Sequence, residues 1–237
     1  MATRAFQGLF DRFAPLVLER QLRFEKENAG RPWEADVEAG TLVLGDHRLR
    51  IEVLATYSSS SGTLLWSWAR AERYGQGWPA HATLAASRVR ALGAGVPELE
   101  DGMPTLSPED ADDVMIVALG LLGEVGLAGG QPLLYRGDHE HGSVYLYVDA
   151  PDRVEPVELP ALRISSFFPQ LLAMGVPLTD VRAAFVAYCA AHGMEVVDGE
   201  AAVTATDRSG SSLTARFDEH GRLTDLDASL RKGATKA

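Results

Sequence analysis

Residues 49–74, LRIEVLATYSSSSGTLLWSWARAERY, constrain this chain more than any other stretch. Leu49, Ile51, Val53, Ala55 and Tyr57 alternate with Arg48, Arg50, Glu52, Leu54 and Thr56, the period of a strand with one buried face. Ser58 to Gly62 offer no side chain that could anchor a core and suit a turn. Beyond the turn, Leu64, Trp66, Trp68 and Arg70 fall on one face of a second strand and Thr63, Leu65, Ser67 and Ala69 on the other. This is a central antiparallel hairpin with a large-side-chain face and a small-side-chain face, the small one suited to a closely packed helix. Two tryptophans two residues apart form one aromatic slab. Aromatics at strand spacing usually dominate packing, so the slab is read as core. The competing reading is a ligand pocket lined by Tyr57, Trp66, Trp68 and Arg70, with Arg48 and Arg50 as further converging polar groups.

The flanking sequence extends the sheet. Phe6, Leu9, Phe10, Phe13 and Val17 recur at helical spacing and predict an amphipathic helix over residues 5–27, bent or split at Pro15. Trp33, Ala35 and Val37 alternate with acids, and Leu42 and Leu44 follow a tight Ala39-Gly40 turn. With the hairpin, these give a four-stranded antiparallel meander. A helix over 80–92 closes at Gly93. Ser107, Pro108, Glu109 and Asp110 then read as an N-cap, a proline at the first helical position and acids in the first turn. The helix they start is apolar all round over 114–122 and must be buried, against the small face of the meander. Residues 133–136 and 143–148 form another hairpin around 137–142.

A proline- and acid-rich stretch over 149–160 reads as a connection. Beyond it come helices over 165–174 and 180–192, the second capped by Thr179, and four short strands over 194–197, 201–206, 211–217 and 223–230. Residues 231–237 read as a disordered tail. The expectation is an α+β protein. Residues 1–150 hold the N-terminal helix, the meander and the packed buried helix, and residues 151–237 hold a second, smaller helix-helix-meander unit packed on the first.

Charge and cysteine content narrow the function. The net charge is −11, which disfavours nucleic acid and anionic membranes as partners. The one cysteine, Cys189, excludes an internal disulfide and a cysteine-built zinc site. Arg4, Asp11 and Arg12 interrupt the N-terminus, which has no signal-peptide core, so a cytoplasmic protein is expected. Asp138-His139-Glu140-His141 is the best metal candidate, but it lies at a hairpin tip with no third ligand evident, so no metal or other cofactor is expected. The serine runs are not nucleophile elbows. The glycines at 123, 126, 129 and 130 follow a helix rather than a strand and make no phosphate cradle. What remains is acid: Glu98, Glu100, Asp101, Glu109, Asp110, Asp112 and Asp113 could receive the lysines and arginines of a partner. The expectation is a non-enzymatic binding protein, of the bacterial immunity or antitoxin-like kind, that uses acidic surface against a basic protein partner. The alternative is a small-molecule binder or unmarked enzyme built on the tryptophan pocket.

The run Leu54-Ala55-Thr56-Tyr57, then Gly62-Thr63-Leu64-Leu65-Trp66-Ser67-Trp68-Ala69, resembles the hallmark of a family of uncharacterised bacterial proteins, a domain of unknown function. In that family a strand ending Gly-Thr-aromatic-Ser leads through a turn to Thr-Trp-Leu-Trp-Ala-Trp-Ala-Asn. The later order is similar too, with Val96-Pro97-Glu98-Leu99, a buried helix and Tyr135-Arg136-Gly137. The likeness spans roughly residues 8–150 and departs at Ala55, Leu64 and Arg70, where Gly, Trp and Asn are expected. It implies a bacterial, soluble α+β protein and no particular activity.

Overall fold

The computed structural model describes residues 2–74, 78–125, 130–151 and 159–231. Parts of the expected connection, of the loop after Tyr74, of the glycine run and of the tail lie outside them. The chain divides into two compact units, one comprising Met1–Phe6 and Val17–Asp152, the other Gln7–Leu16 and Arg153–Ala237. The fold is α+β.

The first helix, α1 (Arg4–Asn28), runs unbroken through Pro15. Proline costs a helix interior one hydrogen bond and a clash. Burial of Phe10, Phe13, Ala14 and Val17 around it supplies the compensation. Thr3 caps the helix, its hydroxyl accepting from Phe6 N at 3.2 Å.

Six antiparallel strands make the sheet of the first unit: β1 (Trp33–Asp36), β2 (Thr41–Leu44), β3 (His47–Ser58), β4 (Thr63–Trp66), β5 (Gly130–His139) and β6 (Gly142–Pro151). β3 is the spine. β2 pairs with its start and β4 with its end, while β6 runs along its other edge over Arg50–Ser58. The two hairpins expected from the sequence therefore share one sheet. The register between β3 and β6 slips at Leu54, and there Val53, Leu54 and Ala55 are all buried in succession. One extra residue re-aims the strand, so the simple alternation breaks where the sheet is most deeply covered. Gly142 opens β6 with φ +148°, and a Cβ there would strike the Tyr57 carbonyl. Only glycine fits that close approach.

The second strand of the hairpin is shorter than its pattern suggests. It ends at Trp66, and Ser67 begins helix α2 (Ser67–Tyr74). Trp66 and Trp68 therefore do not share a strand face, a correction to the expected slab. After Trp66 the run Ser-Trp-Ala-Arg-Ala-Glu-Arg is rich in good helix formers. The Ser67 hydroxyl fixes the transition by donating to the Val53 carbonyl at 2.6 Å.

A 3₁₀ turn (Ala80–Ala82), α3 (Leu84–Leu92), α4 (Pro97–Glu100) and α5 (Pro108–Glu124) follow. α5 starts as expected, with the Ser107 hydroxyl accepting from Asp110 N at 3.0 Å and Pro108 in the first turn. Its interior is buried from Val114 through Leu122 except at Ile116. It packs on α3 and β5. The opposite face of the sheet carries Leu42, Leu44, Ile51, Val53, Leu133, Leu146 and Val148, with Phe24 of α1 against them.

In the second unit, α6 (Pro160–Ala173) and α7 (Val181–Ala191) pack on a four-stranded meander. Its strands are β7 (Glu195–Asp198), β8 (Val203–Thr206), β9 (Ser212–Phe217) and β10 (Leu223–Ser229). Phe168 meets Phe185 edge to face with ring centroids 5.1 Å apart, and both are fully buried. The cap of α7 is Asp180, which accepts from Ala183 N at 2.9 Å, and not Thr179. Thr179 is held instead by Asp11, whose buried carboxylate accepts from Thr179 N, Thr179 Oγ1 and Asp180 N at 2.9, 2.6 and 2.9 Å.

Candidate functional site

Trp66 is fully buried, and its indole N–H donates to the Glu98 carbonyl at 3.4 Å. Tyr57 is 6% exposed and donates from its hydroxyl to the Leu106 carbonyl at 3.2 Å. Trp68 is half-buried on α2 under the Arg90 guanidinium, 4.0 Å from its ring, and Gly102 lies against it because a side chain there would collide with Trp68 and Ala69. Its buried Nε1 has no hydrogen-bond partner among the described residues. Arg70 lies over the Trp78 ring at 5.1 Å. Packing accounts for all four residues, and they line neither of the two hollows described below.

The seven acids expected to meet a partner have separate tasks. Glu98 accepts from the amide of Thr3 at 2.6 Å and from its hydroxyl at 3.0 Å, tying the start of α1 to α4. Glu100 accepts from Gly95 N, and Asp101 accepts from Met103 N with Arg73 3.8 Å away. Glu109 and Asp110 stand in the first turn of α5, where the helix dipole favours negative charge. Asp112 takes Arg136 on both oxygens, at 3.2 and 2.9 Å, and the Tyr145 hydroxyl at 2.8 Å.

Asp113 is different. Its pKa is pushed up from 3.8 to about 6 by burial, then by the neighbouring charges of Asp110 and Asp112. The shift marks first a carboxylate drawn partly out of water and second the crowding of three acids at the start of one helix. Because the folded pKa lies above the unfolded one, the folded chain binds this proton more tightly, and stability falls as the pH rises from about 3.8 to 6. Asp113→Asn removes that cost. Urea denaturation should show the variant more stable by about 1 kcal/mol at pH 7.5, after discount for solvent screening, and no different at pH 3.

Arg136 gathers a polar cluster at the tip of β5 and β6. Besides Asp112 it donates through Nε to Asp138 at 2.8 Å, and the Ser143 hydroxyl donates to the same Asp138 oxygen at 2.7 Å. The Ser143 bond and then the Arg136 bond hold the Asp138 carboxyl below its ordinary pKa. Burial, followed by the Asp112 hydrogen bond, pushes the Tyr145 phenol upward. Nearby, the His139 ring accepts from His141 N at 3.2 Å, so it closes its own turn. No group of three histidine, cysteine or carboxylate side chains able to hold a metal ion is found among the described residues.

Among the described residues, two hollows of the first unit bear on a site. The larger, about 530 Å³, is bounded by α1, α5 and β5. Leu18, Phe24, Leu44 and Ile116 line it, and Trp33 and Tyr135 stand together with ring centroids 5.0 Å apart. Trp33 is 55% exposed. The Gln21 amide seals the adjoining edge of β5, donating to the Leu134 carbonyl at 2.9 Å and accepting from its N–H at 3.1 Å. The smaller hollow, about 390 Å³, is lined by Ala39, Gly40, Thr41, Arg48, Leu49, Arg50, Ile51 and His81. The sequence placed Trp33 on an alternating strand and marked Arg48 and Arg50 as polar groups. It gave no sign of where either hollow would form, because each is made by elements distant in the chain.

No helix of the described residues is long and apolar enough to cross a membrane. Neither a curated protein nor a solved structure matches the chain. A family model does match, over residues 7–151, so the chain belongs to the family of unknown function DUF6882.

Proposed function

We propose that this DUF6882 member is a non-enzymatic binding protein that engages a basic protein partner through the acidic face at the start of α5. The kind of protein that fits is a bacterial immunity or antitoxin-like protein acting in the cytoplasm. The observation that supports the reading is the crowding of Glu109, Asp110, Asp112 and Asp113 at the start of α5, where burial and then the charges of Asp110 and Asp112 push the Asp113 carboxyl up to about 6. Lysine or arginine side chains of a partner would relieve that repulsion, which gives the face a physical reason to attract them. Glu98 and Asp112 already serve internal partners, so the contact narrows to Glu109, Asp110 and Asp113, with Glu100 and Asp101 as exposed acids of the neighbouring α4 region. The net charge of −11 adds long-range steering toward a basic surface.

The test is to capture partners from a lysate of the source organism, purify the one recovered and titrate it against the protein. Affinity should fall at least tenfold between low and high salt, and again in the Glu109→Gln, Asp110→Asn, Asp113→Asn triple variant. Binding indifferent to both would contradict the proposal.

A second reading is favoured by the larger hollow, where an apolar wall meets the exposed Trp33–Tyr135 pair. Such a site suits a small molecule with an aromatic or apolar body. A ligand that raises the melting temperature of the wild type but not of Trp33→Ala would establish it.

A further inference from the structure

We propose that the smaller hollow of the first unit is an oxyanion site that binds the phosphoryl or carboxylate group of a small molecule, with Arg48 as its principal anchor. Independently of any acidic contact surface, the charge here runs against the rest of the chain. The net charge is −11, yet the residues lining this hollow include Arg48, Arg50 and His81 and no carboxylate. Arg48 and Arg50 are exposed residues two apart on β3, so their side chains leave the same face of the strand about 7 Å apart. That span lets two guanidinium groups approach one tetrahedral or planar anion, and arginine presents the paired N–H geometry such groups need.

The two arginines have different standing. Arg50 donates to Glu52 at 3.0 Å, so its charge is partly answered. Glu52 in turn is 5% exposed and accepts from Ala85 N at 2.5 Å, which fixes the floor behind Arg50. For Arg48 no ion pair or side-chain hydrogen bond is found among the described residues. It is an exposed cation on the border of the hollow, with no counter-charge among the described residues.

The rest of the wall is held in place by main-chain and side-chain hydrogen bonds. Thr41 lies directly across from Arg50 in the β2–β3 ladder. Gly40 has φ +65°, its N–H donates to the Val37 carbonyl, and its carbonyl accepts from Ile51 N at 2.9 Å. His81 is pinned by contact of Nε2 with the Glu38 carbonyl at 3.2 Å. Leu49 and Ile51 also border the hollow, but their side chains turn to the other face of β3, where Ile51 is 2% exposed in the core, so these two residues fix the floor through their main chain.

The experiment is calorimetric titration of the whole protein with inorganic pyrophosphate and, separately, with citrate, against sodium chloride of matched ionic strength. Saturable one-to-one binding of either anion, absent with chloride, is expected. Binding of pyrophosphate alone assigns a phosphoryl ligand, and binding of citrate alone assigns a carboxylate. Arg48→Ala should weaken binding at least tenfold and His81→Ala by a smaller factor, both with unchanged circular dichroism. Arg222→Ala, on the other unit, should bind like the wild type. Absence of saturable binding by both anions, or equal binding by Arg48→Ala and the wild type, would overturn the proposal.

Discussion

Trp66→Ala should lower the unfolding free energy by about 3–5 kcal/mol, read from urea denaturation of the whole chain. The indole is fully buried at the end of β4, paired across the ladder with Ala55, and bonded to the Glu98 carbonyl. Removing it deletes transfer energy and leaves a cavity that the surrounding sheet and α4 cannot close without moving. Trp68→Ala should cost distinctly less, since Trp68 is half-buried and its Nε1 has no hydrogen-bond partner among the described residues. A loss below 1 kcal/mol for Trp66→Ala would mean that the ring does not hold the sheet, and its scaffolding role would be withdrawn.

Asp11→Ala should cost about 2–4 kcal/mol, because four hydrogen bonds to a buried carboxylate disappear together. Asp11 is 4% exposed and collects the Thr179 amide, the Thr179 hydroxyl and the Asp180 amide. Gln7 supports it, donating from its side chain to Asp11 at 3.1 Å and to the Pro177 carbonyl at 3.1 Å. This is how the segment Gln7–Leu16 of α1 is anchored within the second unit. Asp11→Asn keeps the size and one acceptor, so its loss should be roughly half as large. Thr179→Ala should reproduce only the hydroxyl's share. If Asp11→Ala melts like the wild type, the carboxylate does not organise the α7 entry.

These two positions also show what the sequence disclosed and what it hid. The alternation through β3, the Ser107-Pro108 start of α5 and the four short strands of the second meander are local signals, and each produced the expected element. Trp66 was legible as core because aromatics at strand spacing nearly always pack. The helix at Ser67 was hidden by the continuing alternation of Leu64, Trp66 and Trp68. Period-two spacing says nothing about where pairing stops, and the Ser67–Val53 bond that ends it ties the first residue of α2 to β3, fourteen residues earlier. Glu52 sat in the polar register of β3, yet it is buried because the N-terminus of α3, thirty-three residues later, uses it as an acceptor. Asp11 looked like no more than a charge interrupting an apolar N-terminus. Its partners are 168 and 169 residues away.

The acidic run had the same ambiguity. Composition alone cannot tell which carboxylates will be consumed by the fold. Glu98 is used by Thr3 and Asp112 by Arg136 and Tyr145, and neither contact has a local signature. The Asp113 carboxyl is held up to about 6 by burial and by the charges of Asp110 and Asp112, so the acids at the start of α5 still crowd one another there.

The most direct measurement of the central claim is proton exchange on partner binding at pH 6, by calorimetry in buffers of differing ionisation heat. A cationic partner seated at the start of α5 would bring the Asp113 carboxyl back down from about 6, so binding should release a proton and tighten as the pH rises through that value. The released proton should vanish in Asp113→Asn. Binding with no proton released, or with the same release in Asp113→Asn, would place the contact elsewhere on the molecule.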